Sequence, residues 1–596
     1  MLKRFHQLIN QLNEWRIRKI SNRNFLIILA TIVGLTGGLA ASALKALTHR
    51  IATLLQDEVP WEFKGYVYLI FPLIGILLSV LYVRKFIRSK HMEHGVTPIL
   101  YAISNRSSKM PVHNIYSQII TSALTVGFGG SAGLEAPIVA SGSAIGSNIG
   151  RFFGLNYREV TMLLACGAAA GIAGAFNSPV AGMVFAIEIL LPEFSIPVFI
   201  PLLMAAATSS VISRILYQEP LFHLVTDAWV LPALAFYLLF SLIMGGFSVY
   251  FNRLNNYMRK HFKISNIYQK VLVSGLVLGV LIFLFPALYG EGYIAIQQLL
   301  AGKETSLVGN SIFREYQHIG IFVVLYALLT VIAKAFATII TLNSGGNGGN
   351  FGPSLVMGGL LGFAFAYGIN LTGVVELNVM NFIVVGMAGA MSGIMHAPLT
   401  GIFLIAEITG GYALMVPLMI VSAISYFINR SILKYSIYTQ ALAEKGDWLS
   451  HEDKDLTVLK MMKLKYLLER NFTPLRPDEL PSQRRLDIIH TKRNIFPVID
   501  DNQKLIGIIY SEKLFEILLG EEKGKEEKTM KALAQSPQDI IRIDADMVEV
   551  MHKMDKEDIW MLPVVDEQDR YMGFVSKSAI FNKYRALLLR QGAYLE

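Results

Sequence analysis

A chain of 596 residues that is 53% hydrophobic and only 16% charged, with a mean hydropathy of +0.47, reads as a polytopic membrane protein and excludes an ordinary soluble globular fold. The single cysteine, Cys166, lies inside an apolar run, which excludes a disulfide framework and a cysteine-based metal site. The net charge of +9 does not call for nucleic acid, because much of it borders membrane segments, where basic residues mark the cytoplasmic side.

Residues 1–24 carry Lys3, Arg4, Arg16, Arg18, Lys19 and Arg23 against one acid, Glu14, while Leu2, Phe5, Ile9, Leu12 and Trp15 share a helical face. This pattern predicts a cytoplasmic amphipathic helix lying on the membrane. The run Phe25–Thr48 is expected to span the bilayer; it is too long for a signal peptide and lacks a clear cleavage site. A second span is expected from about Gly65 to Tyr82, followed by Arg84, Lys85, Arg88, Lys90, Arg106 and Lys109, again on the cytoplasmic side. From Ile115 to Tyr435 the chain is nearly continuous apolar sequence broken by Gly and Pro. Pieces such as Ala136–Phe153 and Val180–Leu191 are too short or too broken for simple straight spans. Such helices survive only where protein or a wet cavity covers their open backbone groups. Lys334, in Leu328–Ile340, has no acidic partner nearby in sequence and is expected either to snorkel or to add positive potential to an anion path.

Within this region the stretch Gly129–Pro137, GGSAGLEAP, sets Glu135 among glycines between apolar runs. A carboxylate there is a functional-site hypothesis. Glycines let the backbone N–H groups approach a ligand, and Pro137 suits the first turn of a helix, whose open N–H groups can hold an anion or the Glu135 carboxylate itself. Asn343–Pro353, NSGGNGGNFGP, repeats the form: Gly133-x-x-x-Pro137 matches Gly349-x-x-x-Pro353. Downstream, Gly167, Gly174, Pro179, Gly182 and Glu188 match Gly386, Gly393, Pro398, Gly401 and Glu407 at one constant offset. The membrane part therefore holds two copies of one unit, and paired glycine-interrupted segments in two halves point to a transporter's substrate site.

After Lys445 charged residues become frequent and the text reads as soluble α/β. Phe496–Asp500 (FPVID) with Gly507-Ile508-Ile509 recurs as Leu562–Asp566 (LPVVD) with Gly573-Phe574-Val575, each copy predicting strand, turn, strand and helix. The segment Gly520–Lys528 between them is a charged linker; Glu526 stands where a phosphate loop needs Ser or Thr.

These motifs resemble the CLC family of chloride channels and chloride/proton exchangers, with a tail that resembles a pair of CBS domains. The resemblance rests on GLEAP (Gly133–Pro137) for G-[RK]-E-G-P, GNFGP (Gly349–Pro353) for G-x-F-x-P, Tyr438 in SIYTQALA, and EHGVTP (Glu93–Pro98). It implies a polytopic α-helical membrane protein of two inverted-repeat halves with broken helices, and a cytoplasmic α/β CBS pair. The expected boundaries are an N-terminal helix over 1–24, a membrane domain over 25–445, linker and first CBS domain over 446–528, and second CBS domain over 529–596. The resemblance further implies a homodimer in the lipid bilayer, with both termini cytoplasmic and one anion path per subunit. Glu135 would be the gating glutamate. His94 or Gly95, Gly133, Asn350, Phe351 and Tyr438 would bind the anion through backbone N–H groups and the Tyr438 hydroxyl. Neutral donors suit this task because they replace hydration without holding the ion too tightly.

This chain departs from the family at three places. Leu134 and Ala136 flank Glu135 where a basic residue and a glycine are usual, and His94 or Gly95 replaces the usual serine. Ile189 stands where exchangers carry a proton-relay glutamate, beside the retained Glu188. His91 and His94 with Glu93 lack a firm third ligand, and no metal site is expected. In the tail, Lys513 and Ala579 replace the ribose-binding Asp, so a nucleotide is not expected and a structural role is preferred. The expected function is chloride transport gated by Glu135, with proton antiport preferred over a passive channel. A magnesium-type cation carrier would need converging carboxylates, where the motifs offer one. A membrane enzyme or sensor would need a nucleophile–base pair, metal cluster or phosphate loop in the tail. A fluoride exporter fits Phe351 and Tyr438 less well. On this reading Glu135 is the only motif carboxylate able to titrate at the site, and Glu135→Gln should leave pH-insensitive flux.

Overall fold

The computed structural model describes residues 19–57, 68–87, 95–191, 196–217, 228–262, 264–445, 459, 462–519, 527–556 and 558–592. The amphipathic helix expected over 1–24 falls mostly outside these residues, as do His91, Glu93, His94 and most of the Gly520–Lys528 linker. The chain forms two compact units, Met1–Trp448 and Leu449–Glu596.

The first unit is helical. Helix α1 (Asn22–Asp57) continues past the expected end at Thr48, because no Gly or Pro interrupts the residues that follow. Helix α2 (Phe71–Tyr82) starts on Pro72 in its first turn and runs into a π turn, Val83–Ile87. Then come α3 (Thr97–Asn105), α4 (Asn114–Gly127), α5 (Glu135–Phe152), α6 (Tyr157–Phe176) and α7 (Pro179–Phe185), which ends in a π turn, Ala186–Leu190. Helices α8 (Ile196–Leu216), α9 (Leu234–His261) and α10 (Ile267–Leu284) lead to two short helices, α11 (Tyr293–Leu300) and α12 (Ser306–Gly309). The series closes with α13 (Gly320–Asn343), α14 (Phe351–Asn370), α15 (Val379–Met395), α16 (Pro398–Ile408), α17 (Met415–Ile432) and α18 (Gln440–Glu444). Among the described residues eight helices are long and apolar enough to cross a bilayer. Helix α6 is almost wholly enclosed by protein, whereas α8, α10 and α17 present apolar flanks outward, as helices facing lipid must.

The internal repeat is physical. In α6 a capping box at Asn156 and Glu159 closes the first turn, worth about 1 kcal/mol. The helix stops at Asn177, which takes the left-handed conformation at φ 55°. Its counterpart α15 is capped by Asn378 and stops at His396, φ 58°. A Cβ on Gly142 or Gly167 would strike the other's carbonyl oxygen, so α5 and α6 touch backbone to backbone. Gly358 and Gly386 do the same for α14 and α15. Each half also closes the other. The Glu188 carboxylate accepts from Leu399 N (3.0 Å), Thr400 N (2.8 Å) and Thr400 Oγ1 (2.6 Å) at the start of α16. The Glu407 carboxylate accepts from Val180 N (3.0 Å) and Ala181 N (2.9 Å) at the start of α7. Two acids matched in sequence are thus reciprocal helix caps across a local two-fold relation, satisfying N–H groups that lipid cannot.

The second unit holds α19 (Arg485–His490), a β1–β2 hairpin (Ile495–Ile499, Leu505–Tyr510) followed by α20 (Ser511–Leu518), and α21 (Met530–Leu533). A three-stranded sheet follows: β3 (Ile541–Arg542) runs parallel to β4 (Met561–Val565), and β4 runs antiparallel to β5 (Tyr571–Ser576). Helix α22 (Met547–Lys556) precedes β4 and α23 (Lys577–Gly592) follows β5. The repeated motifs take the same register: Val498 faces Gly507 and Val564 faces Gly573. The two copies meet where Tyr571 N donates to Gln503 O (2.8 Å).

Candidate functional site

The two glycine-rich turns meet. Gly133 N donates to Gly349 O (2.9 Å) and Gly349 N to Gly133 O (2.8 Å), a single antiparallel pair that joins the halves. A Cβ at Gly349 would run into Ala136, so this approach requires glycine. Helices α5 and α14 start directly after the pair, at Glu135 and Phe351, and their N-terminal dipole ends therefore converge. Below the second turn, Asn347 N donates to Thr125 Oγ1 (2.9 Å), and Asn347 Nδ2 to Gln118 Oε1 (2.9 Å) and Thr121 Oγ1 (2.7 Å), fixing its backbone.

Glu135 is 2% exposed. Its carboxylate folds over to the opposite half: Oε2 accepts from Gly352 N (3.2 Å) and Oε1 from the Tyr293 hydroxyl (2.6 Å). The side chain of one half thus occupies a backbone donor at the helix start of the other, where a small anion would be held. Phe351 is fully buried and packs its ring on Phe176 (5.5 Å between centroids) and Phe185 (6.2 Å). Asn350 Oδ1 is buried without a hydrogen-bond partner.

Tyr438 is buried in the same core as Phe351 and Leu134; its hydroxyl donates to Met395 Sδ (3.3 Å), and its carbonyl accepts from Thr97 Oγ1 (2.8 Å). Gly95, φ 73°, lies just before α3, with open space where a Cβ would stand, and His94 is outside the described residues. Ile189 sits in the π turn and packs into the core. Gly133, Glu135, Asn350 and Phe351 are therefore brought together at the paired turns. Tyr438 lies in the same core, with its hydroxyl on Met395.

The sequence reading missed a third glycine turn. Gly290-Glu291-Gly292-Tyr293, with φ 59° at Gly290 and 91° at Gly292, lies before α11 and delivers two side chains to the site. Tyr293 reaches Glu135, and Glu291 Oε1 accepts from Leu134 N (3.2 Å). The expectation of one carboxylate at the motif is thereby corrected. An acid between glycines in an apolar run was the available signal, the same that singled out Glu135. Lys334 does not snorkel. It is 0% exposed, and its ammonium donates to Gly290 O (2.9 Å) and Leu288 O (3.3 Å), tying down this third turn. Lys45 of α1 donates to Gly174 O (3.2 Å), and its charge and that of Lys334 act on both Glu135 and Glu291. Among the described residues there is no cluster of His, Cys, Asp and Glu that could hold a metal ion.

A twofold-repeated helical membrane unit whose halves join at paired glycine turns, with an acid across the junction, has the architecture of membrane transporters built from repeats. The voltage gated chloride channel family matches residues 75–430, and the chain belongs to that family. The CBS domain family matches residues 533–586. Similar proteins include an H(+)/Cl(-) exchange transporter ClcA of Klebsiella pneumoniae, 28% identical over 477 residues that cover 74% of this chain and 94% of the relative. A slow cyanobacterial Cl-/H+ antiporter shares the fold with a TM-score of 0.60 at 22% identity, covering 73% of this chain and 100% of that one. A eukaryotic CLC transporter matches over 94% of this chain and 99% of its own, with a TM-score of 0.58 at 18% identity.

Proposed function

We propose that the protein carries chloride across the membrane in exchange for protons, through a path at the paired turns that Glu135 opens and closes. The observation that carries this reading is the Glu135 carboxylate on Gly352 N, at the helix start of the opposite half. Ionised, Glu135 takes that N–H and the Tyr293 hydroxyl, and an anion has neither. A proton removes the charge that holds the side chain there, and chloride gains the freed donors. The proton leaves when the side chain returns, so chloride and proton occupancy alternate. Gly133, Asn350 and Phe351 supply backbone at the site, Tyr438 a hydroxyl, and Gly95 or His94 the remaining donor. The name of the Klebsiella relative supports exchange.

A passive chloride channel is the second reading, favoured by one observation: Ile189, buried in the π turn, cannot carry a proton inward. Purified protein in liposomes, with chloride and proton fluxes recorded together, separates the two. Chloride-driven proton uptake supports exchange, and chloride flux without it leaves the channel.

The functional unit in this reading is a homodimer with both termini cytoplasmic. In this reading the membrane domain spans 25–445, the linker and first CBS domain 446–528, and the second CBS domain 529–596. The tail serves as scaffold, since Lys513 pairs with Glu516 on an exposed helix face and Ala579 lies in the first turn of α23 with its N–H on Ser576 Oγ, positions without an acid for ribose.

A further inference from the structure

Glu291 and Tyr293 of the third turn both reach the start of α5, with Lys334 of α13 holding that turn, and the gating scheme uses only Tyr293. Glu291 differs from the other acids set on backbone donors in this unit. Glu188 and Glu407 each close the start of a helix, α16 and α7, with two N–H groups. Glu291 takes a single N–H, that of Leu134, and this residue immediately precedes Glu135 in the same turn. Leu134 N is one of the open donors at the N-terminus of α5, so it belongs to the set available to an anion. Glu135 and Glu291 therefore draw donors from one junction, Glu135 from the second half and Glu291 from the first.

We propose that Glu291 is a second proton-exchanging carboxylate of the anion site: ionised it withholds the Leu134 N–H from chloride, and protonated it releases it. The groups facing it are Glu135 and Tyr293 across the turn, Lys334 from α13 and Lys45 from α1. Two carboxylates sharing one turn repel each other, and the buried Lys334 offsets that repulsion from behind. Lys334 is already committed to the carbonyls of Gly290 and Leu288, which keeps Glu291 aimed at Leu134. Protonating one acid lowers the repulsion on the other, so the pair titrates jointly. The site then carries more than one protonatable group although Ile189 supplies none.

The inference rests on the proposed anion path, and its test separates the two. Chloride flux would be recorded from liposomes holding the wild-type protein, Glu135→Gln and Glu135→Gln/Glu291→Gln. The single variant should pass about tenfold more chloride at about pH 5 than at about pH 8, with most of the slope set by Glu291. The double variant should lose most of that slope, because an amide does not titrate. A flat profile in Glu135→Gln, or an undiminished slope in the double variant, would overturn the proposal. Wild-type protein that passes no chloride would instead remove the proposed function. Should the double variant fail to fold, chloride titrated into weakly buffered Glu135→Gln decides the matter. Proton uptake with chloride binding supports Glu291, and chloride binding without it overturns the role.

Discussion

The two halves of the membrane unit share their scaffold and differ at one position that matters. Glu135 opens α5 in the first half, and Phe351 opens α14 at the matching place in the second. The acids that follow are preserved in both halves, and Glu188 and Glu407 cap each other's partner helix. Matched residues therefore hold the halves together. The mismatched pair puts an acid at the helix start of one half and none at the matching helix start of the other. An acid at only one of the two matched helix starts faces the backbone donors of the other without a matching acid there to repel it.

The largest expected effect falls on the asymmetric position. Glu135→Gln should reduce chloride-driven proton transport into liposomes to background while chloride flux persists, because the amide cannot carry a proton across the junction even where Glu291 still titrates. Phe351→Leu, at the matching position, should keep proton uptake, which would show that the halves differ in chemistry as well as shape. Proton pumping that survives in Glu135→Gln would break the comparison.

Next come the joining glycines. An added Cβ at Gly133 meets the Glu135 carboxylate and comes within 2.9 Å of Gly352 N, and one at Gly349 meets Ala136. Gly133→Ala and Gly349→Ala should each lower thermal stability of the purified protein, by about 1–3 kcal/mol of overpacking. Only Gly133→Ala should also dislodge the carboxylate and change the pH at which transport turns on. Equal effects on transport would mean that the turn's shape, not the acid, sets the gate.

The symmetric caps should behave alike. Glu188→Gln and Glu407→Gln each replace a charged acceptor at a helix start with a neutral one, at a cost of about 1–2 kcal/mol, read as a lowered unfolding temperature. The proton-to-chloride ratio should be unchanged in both. Glu188→Gln should cost slightly more, because Thr400 Oγ1 is a third donor to it.

The smallest effect belongs to an exposed acid outside the repeats. Glu444 on α18 is held down to about 2 by the Gln440 amide, then Arg259 and Lys260 at the end of α9, from an ordinary 4.5. A carboxylate held low contributes stability that is present above 4.5 and fades as pH falls toward 2. Solvent screening keeps that contribution below about 1 kcal/mol. Thermal unfolding at about pH 6 should separate wild type from Glu444→Gln by a small margin, and acidification to about pH 2 should erase the difference. A difference that grows with acid would assign the wrong sign to this contact.

Composition alone fixes the membrane class, since no soluble core needs this much apolar sequence. The constant spacing of Gly167, Pro179 and Glu188 against Gly386, Pro398 and Glu407 makes the repeat legible, because glycines at helix contacts and prolines at helix starts are position-specific. The paired strand motifs of the tail were equally plain, and their shared register follows from the valine–glycine pairing in each hairpin. Glu135 was legible for the same reason: an acid among glycines in apolar sequence is costly unless something holds it.

Which donors hold that acid was a matter of tertiary structure. Tyr293 lies 158 residues from Glu135, Glu291 lies 157 from Leu134, and Gly352 lies 217 from Glu135. No local periodicity reports contacts at such separations; they arise when the two halves close on each other and every buried N–H must find an acceptor. For that reason Glu188 and Glu407 resolve into caps, Lys334 into a buried tether, and Glu291 into a neighbour of the gate. The sequence by itself determined the residue types and their repeat. The packing of one half against the other decided the partner of each charge, because inside a membrane a charge stays only where the fold brings donors or counter-charges to it.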